Sequence, residues 1–344
     1  MTGYLACTGL LELSANSGNL YSRAMQFLDI EEIRRAEKLI RTVMPVTPTY
    51  TWPLLNARAG AEVWVKHENH SPVGAFKLRT ATVYLDWLQR EHPEIRGLVA
   101  ATRGNYGQGV AAAARNAGWT ATIVVPFGNS PEKNRAMQAL GAELVEHGDD
   151  FQAANEYATE LAEERGLHKA PSFTPLLAAG TATYAAEMFE AAPELEAAYV
   201  PVGMGSSICG FVAAREALGL KTKIVGVTAK VAPATALSFA AGRVVPHAVG
   251  PTLADGLACR LPDAEALRVM LKYVERIVEV DEDEIGAAMR AIFEDTHNVA
   301  EGAGAAAVAA VLQERAGVAG KRVGAVISGG NVDREVFAKV LEAR

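Results

Sequence analysis

The stretch SPVGAFKLRTA, residues 71–81, sets Lys77 directly after Phe76 and a Pro72/Gly74 turn, where a helix begins. An ammonium normally keeps its water. A lysine placed against an aromatic ring at a helix start is therefore either a side chain snorkelling to the surface or an amine held as a nucleophile. Partial burial favours the second use, because it lowers the lysine pKa and frees the nitrogen lone pair for attack on a carbonyl carbon.

Three further stretches carry chemistry. In PVGMGSSICG, residues 201–210, Gly203 and Gly205 let the backbone approach a ligand, while Met204, Ser206 and Ser207 add amides and hydroxyls ahead of a helix. That is a phosphate cradle. It is not a P-loop, since no Gly-Lys-Ser/Thr follows, nor the dinucleotide fingerprint, since the next strand ends in Thr228 rather than an acid. In ATRGNYGQGVA, residues 101–111, Gly104 and Gly107 bracket Asn105, which can read a hydroxyl or a phenolate; Thr102 and Gln108 add polar groups at the mouth. In VISGGNVD, residues 326–333, Ser328 ends a strand and offers a neutral hydroxyl to a ring nitrogen. The plainer alternatives are tight turns at 203–207 and 328–330 and a helix cap at Asn105. A lysine amine, a phosphate cradle and a partner for a ring nitrogen together make the equipment for pyridoxal phosphate.

These groups need a scaffold that brings loops together. Runs of β-type residues at 62–68, 97–102, 120–126, 142–148, 197–203, 223–228 and 322–328 read as strands, and several are continuously apolar, as parallel strands covered on both faces are. Helical segments fall at 31–42, 107–117, 131–140, 151–165, 181–192, 208–218, 282–295 and 302–316, and Ser130-Pro131 supplies a cap and a first-turn proline. Such alternation implies doubly wound sheets with ligands at the carboxyl ends of the strands. Residues 98–118 and 199–219 repeat one unit of strand, glycine loop and alanine-rich helix, so two helix N-termini are offered to ligand.

The 344 residues suffice for about two domains. Half are apolar, 21% are charged and the net charge is −7, with no basic run for a nucleic acid. Cys7, Cys209 and Cys259 have neither metal-ligand spacing nor the look of a disulfide framework, and read as reduced thiols in a cytoplasm. No apolar run approaches the roughly 18 residues of a membrane span. The N-terminus lacks a basic n-region, so residues 1–25 read as a loosely held extension rather than a signal peptide.

Taken in order and spacing, KHENHSPVGAFKLRTA, TRGNYGQGVAAAA, PVGMGSSICG, ADGLACR, EGAGAAAVAAV and ISGGNVD resemble the motifs of the serine/threonine dehydratase family of fold-type II pyridoxal-phosphate enzymes, over about residues 45–335. The resemblance implies an α/β, tryptophan synthase β-like fold of two doubly wound open-sheet domains. The larger would comprise 1–69 and 171–344, the smaller, inserted one 70–170, with the cofactor in the cleft and a homodimeric assembly. It implies that Lys77 forms the Schiff base, Phe76 packs on the ring, Asn105 holds the phenolic oxygen, Gly203, Met204, Gly205, Ser206 and Ser207 bind the phosphate, and Ser328 faces the pyridine nitrogen. Thr102, Asn105 and nearby amides would take the substrate carboxylate. The implied reaction is loss of water from a β-hydroxy amino acid, leaving a 2-oxo acid and ammonia, with Lys77 as the base at Cα. Threonine, serine, phenylserine and 3-hydroxyaspartate are all open. Racemisation or β-replacement with the same cofactor is the alternative, and a nucleotide-binding redox protein the alternative from another class.

Departures from the family pattern bear on function. Arg103 stands where the racemase branch carries a serine acid/base; a permanent cation cannot shuttle that proton, and serves instead a second substrate carboxylate, a salt bridge or solvent. Tyr106 replaces the usual histidine and offers a hydroxyl and an aromatic wall. The segment TAKVAPA, residues 228–234, has no carboxylate for the divalent-cation site of some members, so no metal is expected. Glu301 opens a helix, either as an acid favoured at an N-terminus or as a group beside the ring nitrogen or Lys77. His67 and His70 lack a third ligand, 281–284 (DEDE) reads as the acidic first turn of a surface helix, and Asp255 as a turn residue near the cleft. The chain ends soon after Ser328, so the C-terminal regulatory domain of the biosynthetic deaminases is not expected.

Overall fold

The computed structural model describes residues 28–343; Cys7 and the extension at 1–25 lie outside them. Its strands are β1 (Thr49–Thr51), β2 (Glu62–His67), β3 (Gly97–Ala101), β4 (Thr120–Val125), β5 (Glu143–Glu146), β6 (His168–Lys169), β7 (Ala197–Pro201), β8 (Lys223–Ala229), β9 (Arg276–Val280) and β10 (Arg322–Ile327). They form a six-stranded sheet in the order β1-β2-β10-β7-β8-β9 and a four-stranded sheet in the order β5-β4-β3-β6. Only the β1–β2 pair is antiparallel.

Both sheets are covered on both faces, as their apolar runs require. In the larger sheet, Val225, Val227, Val323 and Ala325 pack with helix Gly302–Gln313, whereas Val200, Ile224 and Val326 face helices Pro175–Ala191 and Ser206–Ala217. In the smaller one, Leu98, Ala100 and Ile123 meet helices Lys77–Glu91 and Asn105–Asn116, and Val99 and Val124 meet helix Phe151–Arg165.

Each of the seven runs forms a strand. The runs missed β1, β6 and β9. β1 and β6 are too short to show a period, and β9 is a half-covered edge that carries Arg276 and Glu279. Helices Pro53–Ala59, Ala234–Ala241, Ala264–Tyr273 and Arg334–Glu342 also lay outside the expected segments, and the helix whose start was read at Lys77 runs to Glu91. Lys77–Glu91 carries Thr80, Thr82 and Val83, whose β-branched side chains weaken a helix, yet its buried first half is helical because packing overrides propensity. Helix Pro175–Ala191 starts earlier than the alanine run suggests, with proline at its first position.

Candidate active site

Lys77 is the first residue of its helix, half-buried, with Phe76 in the cap position. Its Nζ lies 4.4 Å from the centroid of the Phe76 ring and 5.7 Å from that of Tyr106. Among the described residues no carboxylate comes within ion-pair distance of it. Burial brings its pKa down to about 8, against a weaker upward pull from Glu301. Gly109 is what lets helix Asn105–Asn116 come this close, since a Cβ there would stand 2.6 Å from the Lys77 carbonyl oxygen.

The turn before Lys77 is tied to the last strand. Ser71 Oγ donates to Ala75 O and accepts from Ala75 N. Ala75 pairs with Gly329, and Phe76 N donates to Ser328 O at 3.1 Å. The sheet thus delivers Ser328, a buried residue, beside the lysine turn. Its hydroxyl has only a long 3.5 Å contact with Ala303 O.

Asn105 also converges on this point. Gly104, not Asn105, occupies the cap of its helix. Its Oδ1 accepts from Asn331 Nδ2 at 2.8 Å, and its Nδ2 donates to Glu301. Glu301 stands in the cap position of helix Gly302–Gln313 without bonding that helix's amides; its carboxyl reaches across to Asn105 instead. Burial pushes the Glu301 pKa up, and Lys133, Asn105 and Lys77 pull against that. Lys133 runs alongside Gly104, and its Nζ is 3.7 Å from Asp255. Asn331 stands in the quoted ISGGNVD turn but was not singled out, and Lys133 lies in a helix with no motif of its own; only the fold brings both to Asn105 and Gly104.

Around this cluster the remaining candidates divide. Thr102 is buried, and its Oγ1 accepts from Gly104 N. The Tyr106 hydroxyl donates to Pro171 O at 2.6 Å, so of the hydroxyl and aromatic wall expected of this residue the ring faces Lys77 and the hydroxyl bonds the backbone. Arg103 faces solvent and forms no ion pair among the described residues. His67 and His70 rings lie 5.0 Å apart, but His67 accepts from Trp52 Nε1 and burial drives its pKa to about 3.

The second glycine loop follows β7. Gly205 has φ +106°, a conformation that favours glycine, and helix Ser206–Ala217 starts on the next residue. A Cβ on Gly203 would stand 2.5 Å from Gly256 O. Ser206 and Ser207 are buried in the first turn, where backbone N–H groups lack intrahelical partners. Unpaired amides, serine hydroxyls and a positive helix end fit a phosphate dianion. With a partly desolvated amine beside a phenyl ring, the residues present fit pyridoxal phosphate. A cavity of about 740 Å³ around Arg276, Glu314 and Tyr199 opens at the other, amino-terminal end of the larger sheet's strands and contains none of them.

A family model described as pyridoxal-phosphate dependent enzyme matches residues 40–329. The chain belongs to that family. L-threonine ammonia-lyase of Thermotoga maritima is 36% identical over 315 residues, 91% of this chain and 78% of that protein. The processed form of threonine deaminase isoform 2 from Solanum lycopersicum superposes with a TM-score of 0.83 at 30% identity, covering 92% of this chain and 94% of that one. Maize serine racemase superposes with a TM-score of 0.84 at 27% identity, covering 91% and 97%. The enzyme is thus a fold-type II pyridoxal-phosphate lyase of the serine/threonine dehydratase group. The nucleotide-dependent redox alternative is set aside by this match.

Beneath the enzyme's lysine lies a buried ionic cluster that sequence reading missed. Arg79, fully buried, donates Nε to Glu68, Nη1 to Thr183 and Glu187, and Nη2 to Glu68, Thr47 and Glu187. Lys66 donates to Glu187 at 2.6 Å and to Thr47 O at 2.8 Å. The residues come from β2, the turn after it and two helices, so no spacing along the chain announces them. Among the described residues no group of three or more His, Cys, Asp or Glu could hold a metal ion, and no helix is long and apolar enough to cross a membrane.

Proposed function

We propose that the enzyme removes water from a threonine- or serine-like β-hydroxy amino acid and releases a 2-oxo acid and ammonia. The observation that carries this reading is the Lys77 amine, partly desolvated beside the Phe76 and Tyr106 rings and without an ion pair among the described residues. Bound pyridoxal phosphate supplies the electron sink for the bond broken at Cα.

The chain's own residues do the rest. Lys77 holds the cofactor and, once displaced by the substrate amine, takes the Cα proton. The Thr102 hydroxyl, the amides of the 102–105 loop and Asn105 receive the substrate carboxylate. Ser328 would offer a neutral hydroxyl to the ring nitrogen, where an aspartate would keep that nitrogen charged. Asn105, braced by Asn331 and Glu301, would hold the ring's phenolic oxygen. The Tyr106 ring walls the substrate side chain. The β-hydroxyl leaves as water with the proton that Lys77 took from Cα, Lys77 again holds the cofactor as the enamine is released, and the enamine tautomerises to an imine that takes up one water to give the 2-oxo acid and ammonia.

Racemisation would need a proton donor on the second face. Arg103, at the position expected to supply it, is a permanent cation turned to solvent, which favours elimination. The division into 1–69 with 171–344 around an inserted 70–170, a homodimeric assembly and a cytoplasmic location belong to the same proposal. The purified holoenzyme is tested with threonine, serine, phenylserine and 3-hydroxyaspartate for 2-oxo acid release, with chiral analysis of recovered amino acid. Steady oxo-acid release from threonine or serine without inversion supports the reading; inversion without oxo acid overturns it.

A further inference from the structure

Helix Pro175–Ala191 runs beneath both ends of the site. Thr181 Oγ1 donates to Ser206 O at 2.6 Å, which anchors the first turn of helix Ser206–Ala217. On the same helix Thr183 and Glu187 accept from Arg79, which fixes the helix that begins at Lys77. Between these anchors stands Tyr184. Its ring packs on Phe76, with centroids 5.9 Å apart, and on Phe211 at 5.5 Å. Its hydroxyl is sealed from solvent and has no hydrogen-bond partner of normal geometry. Ser207, in the proposed phosphate loop, lies one turn before Phe211 on that helix and so is the polar side chain on the face that Tyr184 packs against.

A buried hydroxyl with no partner is costly, and native interiors rarely keep one without a use. Burial also pushes the phenol pKa up, so it stays a donor at any ordinary pH. A serine hydroxyl that receives one hydrogen bond donates a stronger one.

We propose that Tyr184 is a positioning residue of the phosphate subsite: its O–H donates to Ser207 Oγ, and the Ser207 O–H in turn donates to a phosphate oxygen of the cofactor. This rests on the reading of residues 203–207 as the phosphate loop. It also links that loop to the lysine turn, since the Tyr184 ring backs the Phe76 ring.

The test titrates cofactor-free full-length protein with pyridoxal phosphate and with pyridoxal, which lacks the phosphate, in wild type, Tyr184→Phe, Ser207→Ala and the double variant. Tyr184→Phe should weaken pyridoxal phosphate about five- to tenfold and leave pyridoxal within about twofold, the loss of one net hydrogen bond. It should shift the ³¹P resonance of the bound phosphate, and have no further effect in the Ser207→Ala background. Without cofactor, Tyr184→Phe should melt close to wild type, because the ring packing on Phe76 and Phe211 is kept. Equal weakening of both ligands, or full additivity with Ser207→Ala, overturns the relay and leaves Tyr184 a packing residue. If Ser207→Ala itself leaves the preference for pyridoxal phosphate over pyridoxal unchanged, the phosphate-loop reading falls, and the relay with it.

Discussion

Lys77 and Arg79 lie two residues apart on one helix, both withdrawn from water, and the fold treats them in opposite ways. Arg79 has both carboxylates of Glu68 and Glu187 on its planar fork, plus two threonine hydroxyls. Burial works against its charge, but Glu68 and Glu187 more than offset that and hold it protonated. Lys77 has rings beside it and no ion pair, and burial takes its pKa down to about 8. A cation used for position is saturated with partners. A cation whose neutral form must react is left without them. A buried ionic cluster is weak evidence for added stability, but it sets geometry, and here it sets where Lys77 begins.

The contrast breaks first at Lys77. Lys77→Ala should reduce 2-oxo acid release by about 10²–10⁴-fold or more and abolish the borohydride-sensitive visible band of bound cofactor, with no fall in melting temperature. A variant that kept the band would remove Lys77 from the chemistry. Glu187→Gln should do the reverse. It leaves Arg79 and Lys66 short of a carboxylate in a dry site and should cost about 3–5 kcal/mol of stability, read by urea unfolding. Stability equal to wild type would mean that the cluster carries no strain when broken.

Gly109→Ala tests the seam between the two. Its Cβ would meet the Lys77 carbonyl oxygen at 2.6 Å, so we expect about 1–3 kcal/mol of destabilisation and a lower kcat, because the lysine turn must move. The smallest effect concerns pH. Condensation with pyridoxal phosphate needs the neutral amine, which exists above the amine pKa. Reconstitution of cofactor-free protein should therefore accelerate as pH rises through about 8, well below the ordinary lysine range. Glu301→Gln removes a charge that pulls this pKa up and should move the midpoint lower. A midpoint near that of free lysine would show that the amine is not desolvated.

The two glycine loops show how far the chain could be read. As text, 98–118 and 199–219 share one pattern of strand, glycine loop and alanine-rich helix. In space, the 203–207 loop keeps its first-turn amides and buried serines open to a ligand, whereas the 102–105 loop has Asn105 tied to Glu301 and Asn331 and Thr102 turned onto Gly104. The parallel strands were legible because burial on both faces writes a continuous apolar run, as at Leu98–Ala101 and Val323–Ile327. The edge strand β9 was not, because one exposed side lets Arg276 and Glu279 interrupt the run. Tyr106 was legible as a ring and a hydroxyl, but not where the hydroxyl goes, since its acceptor, Pro171 O, is 65 residues away in the chain.

By itself the sequence determined the kind of chemistry: an amine after a phenylalanine, a glycine–serine loop at a helix start and a serine at a strand end are local features, each written in a few adjacent residues. Tertiary structure alone decided how those groups are held. The Asn331–Asn105–Glu301 chain, the saturation of Arg79 by Glu68 and Glu187 and the packing of Tyr184 on Phe76 join segments far apart in the chain. Hydrogen bonds and ion pairs depend on distance in space, and only the packing of helices on the two sheets makes those distances short.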